Sequence, residues 1–111
     1  MLDINMKFKK GVLNVCVKGY LTSDTAYILE EEFDKITKRC GEKYVLLNLK
    51  DVLMIDKEGI DIIKKCYQKI TNKNGKFLIY GIDKIFENDV KENDYLYQIN
   101  EEEEAYDIVK L

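Results

Sequence analysis

Residues 44–49, YVLLNL, are apolar at every position except Asn48. A strand with one wet face alternates apolar and polar residues. A run that is apolar at successive positions is the pattern of a central strand covered on both faces by helices. The same pattern returns at 76–81 in KFLIYG. Between the two runs lies MIDKEGIDIIKKCYQKI, residues 54–70, in which Ile60, Ile63, Cys66, Tyr67 and Ile70 fall on one helical face. A buried strand, an amphipathic helix and a second buried strand imply parallel pairing through a right-handed crossover. The expected fold class is therefore α/β.

The N-terminal part reads differently. Leu2, Ile4, Met6 and Phe8 alternate with Asp3, Asn5 and Lys7, and Leu13, Val15 and Val17 alternate with Asn14, Cys16 and Lys18. With a tight turn at Lys9-Lys10-Gly11 between them, residues 2–18 form an antiparallel hairpin whose second strand is closed by Gly19. Thr22-Ser23-Asp24 supplies side-chain oxygens suited to a helix N-cap. Ala26, Leu29, Phe33, Ile36 and Cys40 then recur at helical spacing, and Gly41 suits a left-handed C-cap. After the central strand, Asp51 is expected to interrupt before VLMI resumes. Beyond KFLIYG come a short helix or turn near DKIFEN, a strand at YLYQI and a last helix from about Glu101 to Lys110. The whole is a mixed sheet with an opening hairpin and later parallel strands, packed by about four helices.

Composition narrows the function. The chain has 111 residues, 46% hydrophobic and 35% charged, the profile of one folded domain spanning 1–111. Its net charge is −3 and Arg39 is its one arginine, so no basic face for phosphates is present and nucleic acid is not an expected partner. No apolar run approaches the length of a membrane span, and the opening MLDINMKFKK lacks the apolar core of a signal peptide, so neither membrane insertion nor export is expected and the location implied is cytoplasmic. Cys16, Cys40 and Cys66 form no CxxC pair and read as reduced core or near-core thiols. There is no histidine, which removes the commonest general base and most zinc or iron sites. The six glycines stand singly, so there is no phosphate-binding loop, and no cofactor is implied. The acidic run Glu101 to Glu104 fits a solvated first helical turn.

Function should be sought where a strand hands over to a helix, because helix N-termini at the carboxyl ends of strands present unsatisfied N–H groups. Here that place is Asp56-Lys57-Glu58-Gly59. Asp56 is a natural N-cap, Glu58 sits in the first turn where negative charge is favoured, and Gly59 lets another chain approach the helix backbone closely. Capping alone explains both carboxylates. An acid–base pair or a divalent-metal site at Asp56 and Glu58 is the competing chemistry, but residues two apart on a helix do not face each other. Those carboxylates would also repel a phosphate brought to the helix N-terminus.

VLLNLKDVLMIDKEGIDII resembles the signature of STAS domains, the bacterial anti-sigma factor antagonists, in which V-L-N-L-x-x-L is followed by x-x-D-S-S-G and a helix. VKGYLTSDTAYIL is similar to that family's second strand and first helix, usually G-E-L-D followed by a T-A pair. Gly19, Leu21, Thr25 and Ala26 match, and Thr22 stands where Asp is most frequent. The likeness extends over essentially the whole chain, including the opening hairpin and the terminal EEEEAYDIV. It implies the STAS-like, SpoIIaa-like fold. It also implies a protein-binding role, with no catalytic residue and no metal, docking through Thr22, Ser23, Asp24, Asp56, Lys57, Glu58 and Gly59.

In that family the second Ser of D-S-S-G is phosphorylated by a partner anti-sigma kinase, which releases the antagonist. Asp56 and Gly59 match the motif, Lys57 stands at the first Ser and Glu58 at the phosphoacceptor. Ser23 is the chain's one serine, and no Ser or Thr lies between Tyr44 and Ile70. Glu58 carries one charge and two oxygens where phosphate would bring about −1.5 to −2 and three, and Lys57 beside it offsets part of that field. The resemblance thus implies a non-switching module that binds an anti-sigma factor, kinase-like, or another regulatory protein. The alternative is a STAS scaffold subunit of another assembly, such as a stress-signalling complex or the cytoplasmic module of a membrane transport system. Whether Glu58 holds the chain bound or released, and its oligomeric state, stay open.

Overall fold

The computed structural model describes residues 1–39 and 44–81 and the backbone of 97–99. Strands β1 (Leu2–Lys9) and β2 (Val12–Leu21) are followed by helix α1 (Ala26–Arg39), strand β3 (Tyr44–Ile55), helix α2 (Lys57–Thr71), strand β4 (Lys76–Tyr80) and strand β5 (Tyr97–Ile99). They form one sheet in the order β1-β2-β3-β4-β5. The β1/β2 pair is antiparallel and the remaining pairs are parallel. The expected α/β architecture is the observed one, with two helices among the described residues. The other two expected helices, near DKIFEN and from Glu101 to Lys110, lie outside those residues, as do Cys40 and the Gly41 cap. Of the expected YLYQI strand, Tyr97–Ile99 pairs with β4.

The hairpin turn follows from Lys10 and Gly11, whose φ values of 52° and 82° are the left-handed pair of a two-residue turn matched to strand twist. Two consecutive crossovers, β2 to β3 and β3 to β4, step across the sheet in the same direction. Their common right-handedness sets both helices on one face. Leu29 and Phe33 of α1 and Ile63, Cys66 and Ile70 of α2 are fully buried there against Val15, Val45, Leu47 and Ile79. Each such side chain contributes about 1.5–3 kcal/mol relative to exposure. Phe77 bridges the layers, its ring 6.0 Å from Phe33 and 6.2 Å from Tyr67. Lys69 pairs with Asp34 and Lys65 with Glu30, tying α2 to α1. On the opposite face Val12, Leu46 and Leu78 form a second buried cluster flanked by Tyr44 and Tyr80. Thus β3 is buried on both sides, as its unbroken apolar run requires.

Two expectations about strand ends are corrected. Asp51 does not interrupt: β3 runs on through it to Ile55. The pairing absorbs the irregularity, because Cys16 and Lys18 of β2 face Asn48 and Asp51, and Gly19 and Tyr20 face Val52 and Met54. Each step gives β3 one residue more than β2, which is the arithmetic of a bulge. Nor does Gly19 close β2, which continues to Leu21. Gly19 has φ 108°, and a Cβ there would stand 2.1 Å from the Met1 carbonyl oxygen. It is the contact that lets β1 start beside β2. Cys66 is buried, which pushes its thiol well above the ordinary range, and Cys16 is half-buried.

Candidate functional site

The segments singled out in the sequence meet at the end of the sheet where β2 and β3 finish. Asp56 is the N-cap of α2, with extended backbone, φ −108° and ψ −175°. One carboxylate oxygen, Oδ1, accepts the Gly59 N–H at 2.9 Å, which satisfies one of the helix's open donors. The other, Oδ2, accepts the Ser23 N–H at 2.8 Å from the turn after β2. The Asp56 N–H in turn donates to the Leu21 carbonyl at 3.3 Å. Desolvation works against ionisation of Asp56, but the amides of Gly59, Ser23, Glu58 and Asp56 itself outweigh it and hold the carboxyl below its ordinary value of 3.8. A carboxylate with both oxygens engaged by amides is a clamp and a poor general base. This opposes an acid–base pair at Asp56 and Glu58. Among the described residues no three His, Cys, Asp or Glu side chains gather as a metal site.

Gly59 is buried, and the reason is internal. A Cβ on it would lie 2.2 Å from the Leu21 carbonyl oxygen and 3.2 Å from Ile55 Cγ2. The segment that approaches its backbone is the chain's own β2 end, which corrects the reading of Gly59 as a place left open for another chain. Lys57 and Glu58, by contrast, are exposed on the first turn of α2. Glu58 therefore stands at an accessible helix tip, where the helix dipole favours its charge.

Thr22, Ser23 and Asp24 are brought to the same tip, with Ser23 and Asp24 exposed, but their side chains do not cap α1 as expected. The Thr22 carbonyl accepts the Ala26 N–H at 2.7 Å, and Thr25 Oγ1 accepts the Thr22 N–H at 3.1 Å while donating to the Tyr20 carbonyl. Thr25 holds the turn that the preceding residues were expected to hold.

Residues absent from the sequence-based site complete it. Tyr20 and Met54 are register partners, exposed at 44% and 51%, and Leu53 beside them is 69% exposed. The two bulges of β3 leave Leu53 and Met54 facing outward immediately before the Asp56 cap, and Tyr20 faces outward by the ordinary alternation of β2 beside buried Leu21. The apolar run VLMI gives no sign of this exposure, because a bulge breaks the period by which exposure is inferred. The interruption at Asp51 was the available signal. An exposed apolar shelf beside a charged tip is the composition of a protein-docking surface.

An anti-sigma F factor antagonist from Paenibacillus polymyxa is 27% identical over 82 residues, covering 74% of this chain and 70% of that protein. Among solved structures, an anti-sigma factor antagonist from Mycobacterium paratuberculosis superposes with a TM-score of 0.86 at 17% identity, over 100% of this chain and 96% of that one. A serine-to-glutamate variant of RsbS from Moorella thermoacetica gives 0.78 at 13% identity, over 96% and 94%. At such identities the structures establish the fold alone. The STAS domain family model matches residues 3–94, through the hairpin, both helices and the Asp56–Gly59 turn, and the chain belongs to the STAS domain family.

Proposed function

We propose that this chain acts as an anti-sigma factor antagonist-like binding module, regulating transcription indirectly by occupying an anti-sigma factor and performing no catalysis. The docking face is the tip formed by Lys57 and Glu58 with the Thr22–Asp24 turn, widened by Tyr20, Leu53 and Met54. Asp56 and Gly59 hold its shape. The observation that supports the reading is that Glu58 is exposed in the first turn of a helix capped by Asp56; the resemblance of Asp56-Lys57-Glu58-Gly59 to D-S-S-G is what sets it against the family's phosphoacceptor serine. Glu58 has no hydroxyl to accept a regulatory phosphate, so recognition at this site is not toggled by phosphorylation. The relative from Paenibacillus polymyxa supports the choice of an anti-sigma factor as partner.

The test is a titration of the full chain against purified anti-sigma factors by calorimetry, alongside Glu58→Ser. The reading expects saturable binding of one of them, an affinity changed by Glu58→Ser, and phosphorylation of the serine variant alone by a partner kinase. Absence of binding to any anti-sigma factor overturns it. Migration of the native chain in a large complex with other proteins would instead favour a scaffold subunit.

A further inference from the structure

We propose that the outer edge of β1 pairs antiparallel with the same edge of a second copy of this chain, about a twofold axis beside Asn5. β1 ends the described sheet, with β2 as its neighbour there. Two fixed points show which of its backbone groups face outward. At one end the Tyr20 N–H donates to the Met1 carbonyl at 3.1 Å, so Met1 and Tyr20 form a hydrogen-bonded pair. At the other, the Lys10–Gly11 turn closes between the register partners Lys9 and Val12, again a hydrogen-bonded pair. Such pairs alternate along an antiparallel ladder. The odd-numbered residues of β1 therefore turn their N–H and C=O groups to β2, and Leu2, Ile4, Met6 and Phe8 turn theirs away. Among the described residues no strand lies beside these four, and their outward N–H and C=O groups are a template for another strand.

The side chains say which strand fits. Lysines on an edge ordinarily discourage pairing, and β1 carries Lys7 and Lys9. Yet β1 is self-complementary. Two outward-facing sets can bond only if even residues meet even residues, which restricts the register. Centred on Asn5, Asp3 meets Lys7 twice, Leu2 meets Phe8 twice, Ile4 meets Met6 twice and Asn5 meets its own copy. Centred on Lys7, two lysines would collide; centred on Met6, Lys7 would face Asn5 and lie diagonal to its own copy. In the Asn5 register the Asp3–Lys7 and Asn5–Asn5 pairs are the non-hydrogen-bonded ones, where side chains approach most closely. On the other face Ile4 and Met6, half-buried and packed on their own core, would continue that core across the seam, and Phe8, 59% exposed, would be covered. About eight main-chain hydrogen bonds complete the seam.

Sedimentation equilibrium of the full chain over a range of concentrations tests this. A mass rising with concentration to twice that of the chain is expected. Phe8→Lys changes an exposed residue, so the circular dichroism should stay native while the dimer dissociation constant rises about tenfold or more. Asp3→Lys should weaken the dimer several-fold, and adding Lys7→Asp to the same chain should restore it, because the exchanged charges again face each other only in the Asn5 register. A monomer at every concentration overturns the proposal, as does a dimer indifferent to Phe8→Lys or a charge exchange that fails to rescue.

Discussion

Helices α1 and α2 begin at the same end of the sheet, each where a parallel strand finishes, yet they are fastened in different ways. The start of α1 is held by its own approach: Thr25 Oγ1 bridges the Thr22 amide and the Tyr20 carbonyl, and the first turn carries no acidic residue. The start of α2 is held by a carboxylate that also reaches across to the Ser23 amide, and by a glycine fitted under the Leu21 carbonyl. Thus α1 is capped locally, whereas the cap of α2 also fastens the turn leading into α1. Residues 22–24 and 56–59 are distant in sequence but form one mechanical unit. A change at residue 56 should be felt at both helices, and a change at residue 25 at one.

The sharpest way to break the unit is Gly59→Ala. Alanine is worth about 1 kcal/mol over glycine inside a helix. Here its methyl would meet a backbone oxygen at 2.2 Å, and backbone yields less readily than a side-chain end. The overpacking cost of about 1–3 kcal/mol should win, so urea denaturation should show a net loss of stability. A gain would mean that α2 slides freely on β2.

Asp56→Ala comes next, at about 1–2 kcal/mol for the lost cap. Its diagnostic is hydrogen exchange: the Gly59 and Ser23 amides should lose protection together. Thr25→Val should cost about 1 kcal/mol and expose the Thr22 amide while leaving Gly59 protected. If Asp56→Ala spares Ser23, the two starts are independent and the comparison fails.

A smaller effect should appear in acid. The Lys69 hydrogen bond lowers the Asp34 pKa against an opposing desolvation, and the amides lower that of Asp56. Both folded-state values lie below the ordinary 3.8, so the stabilisation is complete above that value and is lost as pH falls through the depressed pKa values. Stability measured from pH 6 downward should therefore decline more gently in Asp56→Asn than in the native chain. Lys69→Met should flatten the curve less, since the Asp34–Lys69 pair is half-exposed and partly screened by solvent.

The α/β order, the opening hairpin, the amphipathic faces of both helices and the Asp56 cap were legible because each is written in local period or local capping chemistry. The Ser23–Asp56 link was not, since it joins residues 33 apart. The fit of Gly59 against Leu21 was hidden for the same reason: a glycine shows that something comes close, but not what. The exposure of Leu53 and Met54 was not legible because the register of β3 changes twice against β2. A period-two reading cannot follow a strand through a bulge. Thr25 stood out as one of the family's T-A pair but not as the residue that holds the turn, because any of several hydroxyl and carboxylate side chains before α1 could have capped it, and only the geometry of the turn selects one.

Glu58→Ser should have the smallest effect on stability and the most specific one on recognition. Glu58 is exposed, while the cap beside it is made by Asp56 and the close approach by Gly59. Nothing in the helix start depends on the Glu58 side chain except its favourable charge near the dipole, worth about 0.3–1 kcal/mol. The denaturation midpoint should hardly move, and the Ser23 and Gly59 amides should keep their protection. Binding is a different matter, because removing one charge from an accessible tip changes what a partner meets there. If the partner presents a cation, affinity should fall and the loss should shrink at high salt. If it presents an acidic or apolar surface, affinity should rise. A variant that is equally stable and binds equally well at every salt concentration would show that the tip is structural on both sides of the comparison, with recognition residing elsewhere.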